Sequence, residues 1–175
     1  YRDLRAKSGR LQWVVMFFGI HLFPTLQVFL GCLPIFALNG QLGLDASAPL
    51  GWIDALAVVV TGGAVVIEAV SDNQLRDYVL HRKKPGETMT EGTWSWSRHP
   101  NYFGELSFWW GLYLFGVAAV GWQPAWLAAG ALAMTVMFRF ISIPMIEKRM
   151  VERRPDYPDV QARISMLVPW PPRRS

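Results

Sequence analysis

The chain has 175 residues, 52% of them hydrophobic and 14% aromatic, with nine Trp and a formal net charge of +4. That length suits one domain, and a single cysteine, Cys32, excludes a disulfide framework or a thiolate metal site. A pI near 9.5 would suit nucleic acid, but the cations are confined to short stretches between apolar blocks, which argues for membrane topology and anionic lipid or ligand instead.

The blocks follow one another along the whole chain, the pattern of a polytopic membrane protein. Residues 1–12 are charged and carry no signal peptide. A start at Tyr1 leads us to expect one membrane domain over 1–175 that lacks N-terminal helices of a longer protein. The first apolar block covers about 13–38 and is broken by Pro24 and Pro34. The second covers about 50–70, with Gly62-Gly63 in its middle, where small residues allow close helix approach. The third covers about 102–120, and the fourth about 125–143, ending at Pro144. Roughly 20 residues at 1.5 Å each cross about 30 Å of hydrocarbon. The expected fold is all-α: a transmembrane bundle of about four spans.

Sixteen of the 17 Lys and Arg fall in residues 1–12, 71–101 and 144–175, while 39–49 and 121–124 hold none. With four spans, all sixteen lie on one side, and the positive-inside rule makes it cytoplasmic. The exception is Arg139, inside the fourth span. It either snorkels to the headgroups or faces a polar cavity, with Glu68 as a partner.

Three polar clusters fall on that side. Ser97-Arg98-His99-Pro100-Asn101-Tyr102-Phe103-Gly104-Glu105 reads as a helix start, with Pro100 at the first position and His99 at the cap. Such an end attracts anions, and Arg98 and His99 reinforce that. Asn101 and Glu105, four apart, share a face, and Gly104 leaves room for a ligand. Upstream, residues 71–87 extend the second span and end in a Pro-Gly turn. Asp72 and Arg76 stand one turn apart, as an ion pair would, and Arg82-Lys83-Lys84 suits lipid headgroups or a phosphorylated cofactor. The third cluster holds Glu147-Lys148-Arg149, Arg153-Arg154-Pro155-Asp156-Tyr157-Pro158 and Val168-Pro169-Trp170-Pro171, much of it reading as a solvated helix. Glu147 lies eight residues after Arg139, roughly on the same face. No glycine-rich phosphate fingerprint occurs, and His21, His81 and His99 are too scattered for a metal site.

These strings resemble the steroid 5-alpha-reductase superfamily, and within it the bacterial uncharacterised branch. The resemblance runs from about Ser71 to Trp170 and rests on Arg98-His99-Pro100-Asn101-Tyr102-Phe103-Gly104-Glu105, with support from Lys84-Pro85-Gly86-Glu87, Pro155-Asp156-Tyr157-Pro158 and Val168-Pro169-Trp170. Tyr1-Arg2-Asp3-Leu4-Arg5 is a weaker echo. It implies a helical bundle with a cofactor cavity open to the cytoplasm. It also implies hydride transfer from NADPH to a conjugated C=C bond of a lipophilic steroid, sterol or acyl-like substrate, in a bacterial inner membrane. The resemblance places Asn101 and Glu105 at the nicotinamide end. Asp72, Arg76 and Arg82–Lys84 fall at the adenine, ribose and phosphates, and Trp96 in the lining. Glu147 and Tyr157 close the pocket. Arg98, His99, Tyr102 and Arg139 complete the cofactor-binding expectation. The family's carbonyl-orienting groups come from N-terminal helices, which leaves His21, Gln27 and Tyr102 as the catalytic candidates. The segment between Gly86 and Trp96 is shorter than in eukaryotic steroid reductases, and Pro144–Arg149 replaces their His-rich stretch.

Isoprenylcysteine and phospholipid methyltransferases share this topology, an Arg-His-Pro-x-Tyr-x-Gly string and a late Glu, and bind S-adenosylmethionine. Asn101 with Glu105 and the basic run favour the reductase. A third reading is a non-enzymatic lipid-binding protein. In the reductase reading the substrate enters from the bilayer, with the reaction centre among Trp109, Trp110 and Tyr113; singly, each of these suits an interfacial belt.

Overall fold

The computed structural model describes residues 11–41, 43–45, 48–82, 84, 86–122 and 124–173. Lys83 and segment 1–5 lie outside the described residues. Four helices are long and apolar enough to cross a membrane: α1 Phe17–Leu38, α2 Trp52–Arg82, α3 Pro100–Val120 and α4 Ala125–Arg153. A short α5, Tyr157–Arg163, follows. No strand occurs among the described residues; one backbone bridge joins Ser97 and Ser165.

Proline placement explains how the long helices survive their breaks. Proline lacks an N–H, and its ring crowds the carbonyl four residues back. A wider π-helical turn relieves that crowding, and one precedes each of Pro24 and Pro144. Phe17–Leu22 comes before Pro24, and Phe138–Ser142 before Pro144. The helix of the fourth apolar block therefore does not stop at Pro144 but runs on to Arg153. At Pro34 α1 does break, at Cys32.

α2 is also longer than its apolar block. Its 31 residues span roughly 46 Å at 1.5 Å each, well beyond about 30 Å of hydrocarbon. The surplus carries the polar residues after Val70 out of the apolar layer. At the opposite end, the Gly51 N–H donates to Asp54 Oδ2 at 2.8 Å, placing an acid at the helix start.

α2 and α3 form the most extensive helix pair. Ala57, Ala64 and Ser71 are buried on α2 at seven-residue spacing, and Gly104 and Gly111 face them from α3. A Cβ on Gly104 would lie 2.9 Å from the Ala64 carbonyl oxygen and the Glu68 backbone nitrogen, and one on Gly111 would strike Thr61. Gly104 thus makes room for a helix, not for a ligand. Gly62 and Gly63 meet nothing within 4 Å, so the close approach expected there occurs elsewhere on the same helix. α1 packs on α4 where Gly31 meets Gly130, and on α3 where Pro34 meets Gly116. Val59 is 70% exposed and Val66 60%, on a face of α2 fit for lipid.

Leu106, Met134 and Phe138 form a buried cluster between α3 and α4, joined by Tyr102, Trp109 and Leu167. Trp110 donates through Nε1 to Thr135 Oγ1 at 3.1 Å, and Tyr113 meets both Trp110 and Trp122 edge-on. These contacts join α3 to α4 and to the turn that follows α3.

Candidate functional site

Residues 84–99 and the tail after α4 fold back onto the same end of the bundle. The chain turns here: Gly86 has φ +78°, and the Glu87 N–H donates to the Lys84 carbonyl at 3.2 Å. The segment is then strapped down on both sides. The Thr88 N–H and Oγ1 both donate to the Asp156 carboxylate at 2.8 Å. The Thr93 N–H and Oγ1 donate to Gln74 Oε1, and Trp94 Nε1 donates to the Ser71 carbonyl.

The start of α3 receives an anion, and that anion belongs to the chain itself. Glu147, buried on α4, accepts from Arg98 Nε at 2.7 Å and from Nη2 at 3.2 Å, a two-pronged pair. Arg98 Nη1 donates to the Gln161 and Ile164 carbonyls, so four of the five guanidinium donors are engaged. His99 Nε2 lies 3.2 Å from Glu147 Oε1; Tyr157 Oη donates to Oε1 at 3.3 Å and Gln161 Nε2 to Oε2 at 2.8 Å. Burial, with the Glu147 carboxylate beside it, pushes the Tyr157 phenol up, so it remains a donor across the neutral range. Backbone donors at the helix start are filled as well: the His99 N–H by Ser97 Oγ and the Tyr102 N–H by Asn101 Oδ1. The open anion site expected there is thus an internal ion-pair socket.

Beside the socket lies a cavity of about 280 Å³. Its polar wall includes Thr88, His99, Asn101 and Arg154, and its aromatic faces are Trp94, Tyr102 and Tyr157. Tyr102 stacks on His99 at 5.5 Å and leans on Phe138 at 4.6 Å, which ties the wall to the core. Leu75, Val79, Ile146 and Met150 complete an apolar floor. The volume sits near the lower end for small-molecule sites.

Of the residues expected from sequence, Arg98, His99, Asn101, Tyr102 and Tyr157 line this cavity, and Glu147 anchors its wall. Asn101 Nδ2 donates to Asp72 Oδ1 at 3.0 Å, so Asp72 turns to Asn101 rather than to Arg76. Glu105 stands across from Glu68 and Asp72, on the α2-facing edge it shares with Asn101. Arg76 and Lys84 are exposed and outside the cavity lining, and Arg82 is held by Asp77 and Glu91. Trp96 lines a separate outer groove with Ile67, Gln74 and Pro169. Arg139 is exposed over the Phe140 ring and forms no ion pair among the described residues. Eight residues turn a helix about 80° past two full turns, and the π-helical turn after Arg139 adds to that offset from Glu147. His21 is exposed on α1; Gln27 is buried there with its Nε2 unpartnered among the described residues, and neither lines the cavity.

The family described as "Protein of unknown function (DUF1295)" matches residues 1–164. The chain belongs to the DUF1295 family. DUF1295 is a steroid 5-alpha-reductase-like family of membrane proteins. An uncharacterized protein of Schizosaccharomyces pombe is 26% identical over 190 residues, an alignment covering 97% of this chain and 54% of that protein. The chain therefore spans about half the length of that relative. No solved structure matches it.

Among the polar and aromatic residues of this DUF1295 cavity, three were not expected as site residues: Thr88, Trp94 and Arg154. Thr88 and Trp94 sit in a stretch with no chemical motif. Arg154 carried a faint signal, the proline directly after it, which ends α4 and leaves the arginine at the turn.

Proposed function

We propose that this chain forms the cofactor-binding part of a membrane-embedded reductase that uses NADPH to reduce a conjugated C=C bond in a lipophilic substrate. One observation carries the reading. A cavity with an amide, an imidazole, aromatic faces and an uncommitted arginine opens at the basic end of an apolar bundle. Asn101 and His99 offer polar recognition to a carboxamide-bearing ring, with Tyr102 and Trp94 as flat walls. Arg154, Arg76 and Lys84 are cations without carboxylate partners among the described residues, suited to the phosphates. Bound there, NADPH supplies the hydride, and the protein's share is to orient it and exclude water. The basic loops at this end support an orientation in which the cavity faces the cytoplasm from a bacterial inner membrane, by the positive-inside rule.

One feature favours methyl transfer. Glu68, Asp72 and Glu105 gather carboxylates beside the cavity, which suits the cationic sulfonium of S-adenosylmethionine better than a phosphate. Mass spectrometry of the nucleotide that co-purifies in detergent separates the two. We expect NADPH, with its affinity weakened more than about tenfold by Asn101→Ala or Glu105→Gln and the melting temperature retained. Unchanged affinity in both variants removes the site assignment, and S-adenosylmethionine in place of NADPH reverses the choice of reaction.

A further inference from the structure

A second cavity, of about 350 Å³, opens on the other side of Arg98. It is formed by the end of α5 and the tail that follows it. The tail is pinned along its length: the Arg98 N–H donates to the Ser165 carbonyl at 2.8 Å, Ser97 Oγ to the Leu167 carbonyl at 2.8 Å, and the Trp170 N–H to the Trp96 carbonyl at 2.9 Å. The last tie, the Arg173 N–H to the Arg163 carbonyl at 3.0 Å, brings two arginines side by side on the cavity lining.

Neither arginine has a carboxylate partner among the described residues. Arg163 makes one long bond, from Nε to the Asp159 carbonyl at 3.4 Å. Arg98 lines the same cavity but is committed to Glu147 and two carbonyls. The Ser165 hydroxyl, also in the lining, donates to no described group. A cation at the C-terminus of α5 would account for Arg163 alone; it leaves the adjacent Arg173 unexplained. Both side chains are exposed, and two guanidinium groups on one wall offer paired forks to an anion. Trp170, 68% exposed, forms an indole wall of the kind that stands at headgroup level.

We propose that this cavity binds a phosphate group, two guanidinium forks and a hydroxyl matching its oxygens. The phosphate belongs either to a lipid headgroup or to a soluble phosphate, and this site does not depend on the reductase reading. The test is thermal unfolding of the full chain in detergent, titrated with inorganic phosphate and, separately, with short-chain phosphatidic acid. We expect saturable stabilisation, with affinity falling about tenfold for each of Arg163→Gln and Arg173→Gln and partly kept in Arg163→Lys. Response to inorganic phosphate identifies a soluble ligand; response to phosphatidic acid alone identifies a lipid. Arg149→Gln, an exposed cation outside the cavity, should leave affinity unchanged. No saturable response to either probe, or equal weakening by Arg149→Gln, overturns the proposal.

Discussion

Glu147 holds three elements with one carboxylate: the start of α3 through Arg98 and His99, its own helix α4, and α5 through Tyr157 and Gln161. The side chains of the pair are only 9% and 12% exposed, so each ion depends on the other for compensation. Removing one partner of a buried pair leaves an uncompensated charge, at a cost of about 3–5 kcal/mol. Glu147→Gln keeps the shape and loses the charge. It should lower thermal stability by that order and expose the 154–173 tail to protease before the helices unfold. A melting curve and digestion pattern like those of the unsubstituted protein would show that the pair is not what closes this end. Arg98 was legible as a cation at a helix start. Its partner was not, because 49 residues separate it from Glu147 and nothing in a linear pattern couples those positions.

At the scale of elements, the four apolar blocks were legible because hydrocarbon demands length and composition, which a sequence displays directly. Which glycines lie between helices was not. Gly62-Gly63 is the more conspicuous pair, yet it faces open space, while Gly104 and Gly111 lie against α2. A single helix pattern gives spacing but not the face a neighbour takes. The two sets should respond oppositely to the same change. Gly104→Ala and Gly111→Ala force side chains into the facing helix and should destabilise by about 1–3 kcal/mol. Gly62→Ala and Gly63→Ala meet nothing and should be neutral or stabilising by up to about 1 kcal/mol, alanine being the better helix former. Thermal unfolding of the four variants in one detergent decides it; a greater loss at Gly62 than at Gly104 would reverse the packing.

For the whole molecule, charge and chemistry coincide at one end. The ties from Thr88 to Asp156 and from Arg98 to Glu147 bring segments 71–101 and 144–173 together, and both are rich in Lys and Arg, while 39–49 and 121–124 at the opposite end have none. Lys and Arg near span ends resist translocation, and the anionic cytoplasmic leaflet holds them in place. In the proposed orientation, the cavity, the socket and the Arg163–Arg173 pair would share a compartment with soluble nucleotides. This orientation can be read on intact cells. In a Cys32→Ser background, Gln41→Cys should react with a membrane-impermeant maleimide from outside. Glu91→Cys, exposed in the loop that closes the cavity, should react only after permeabilisation. The reverse pattern would place the cavity outside the cytoplasm, remove the supply of NADPH and S-adenosylmethionine alike, and leave lipid binding as the function of the basic end.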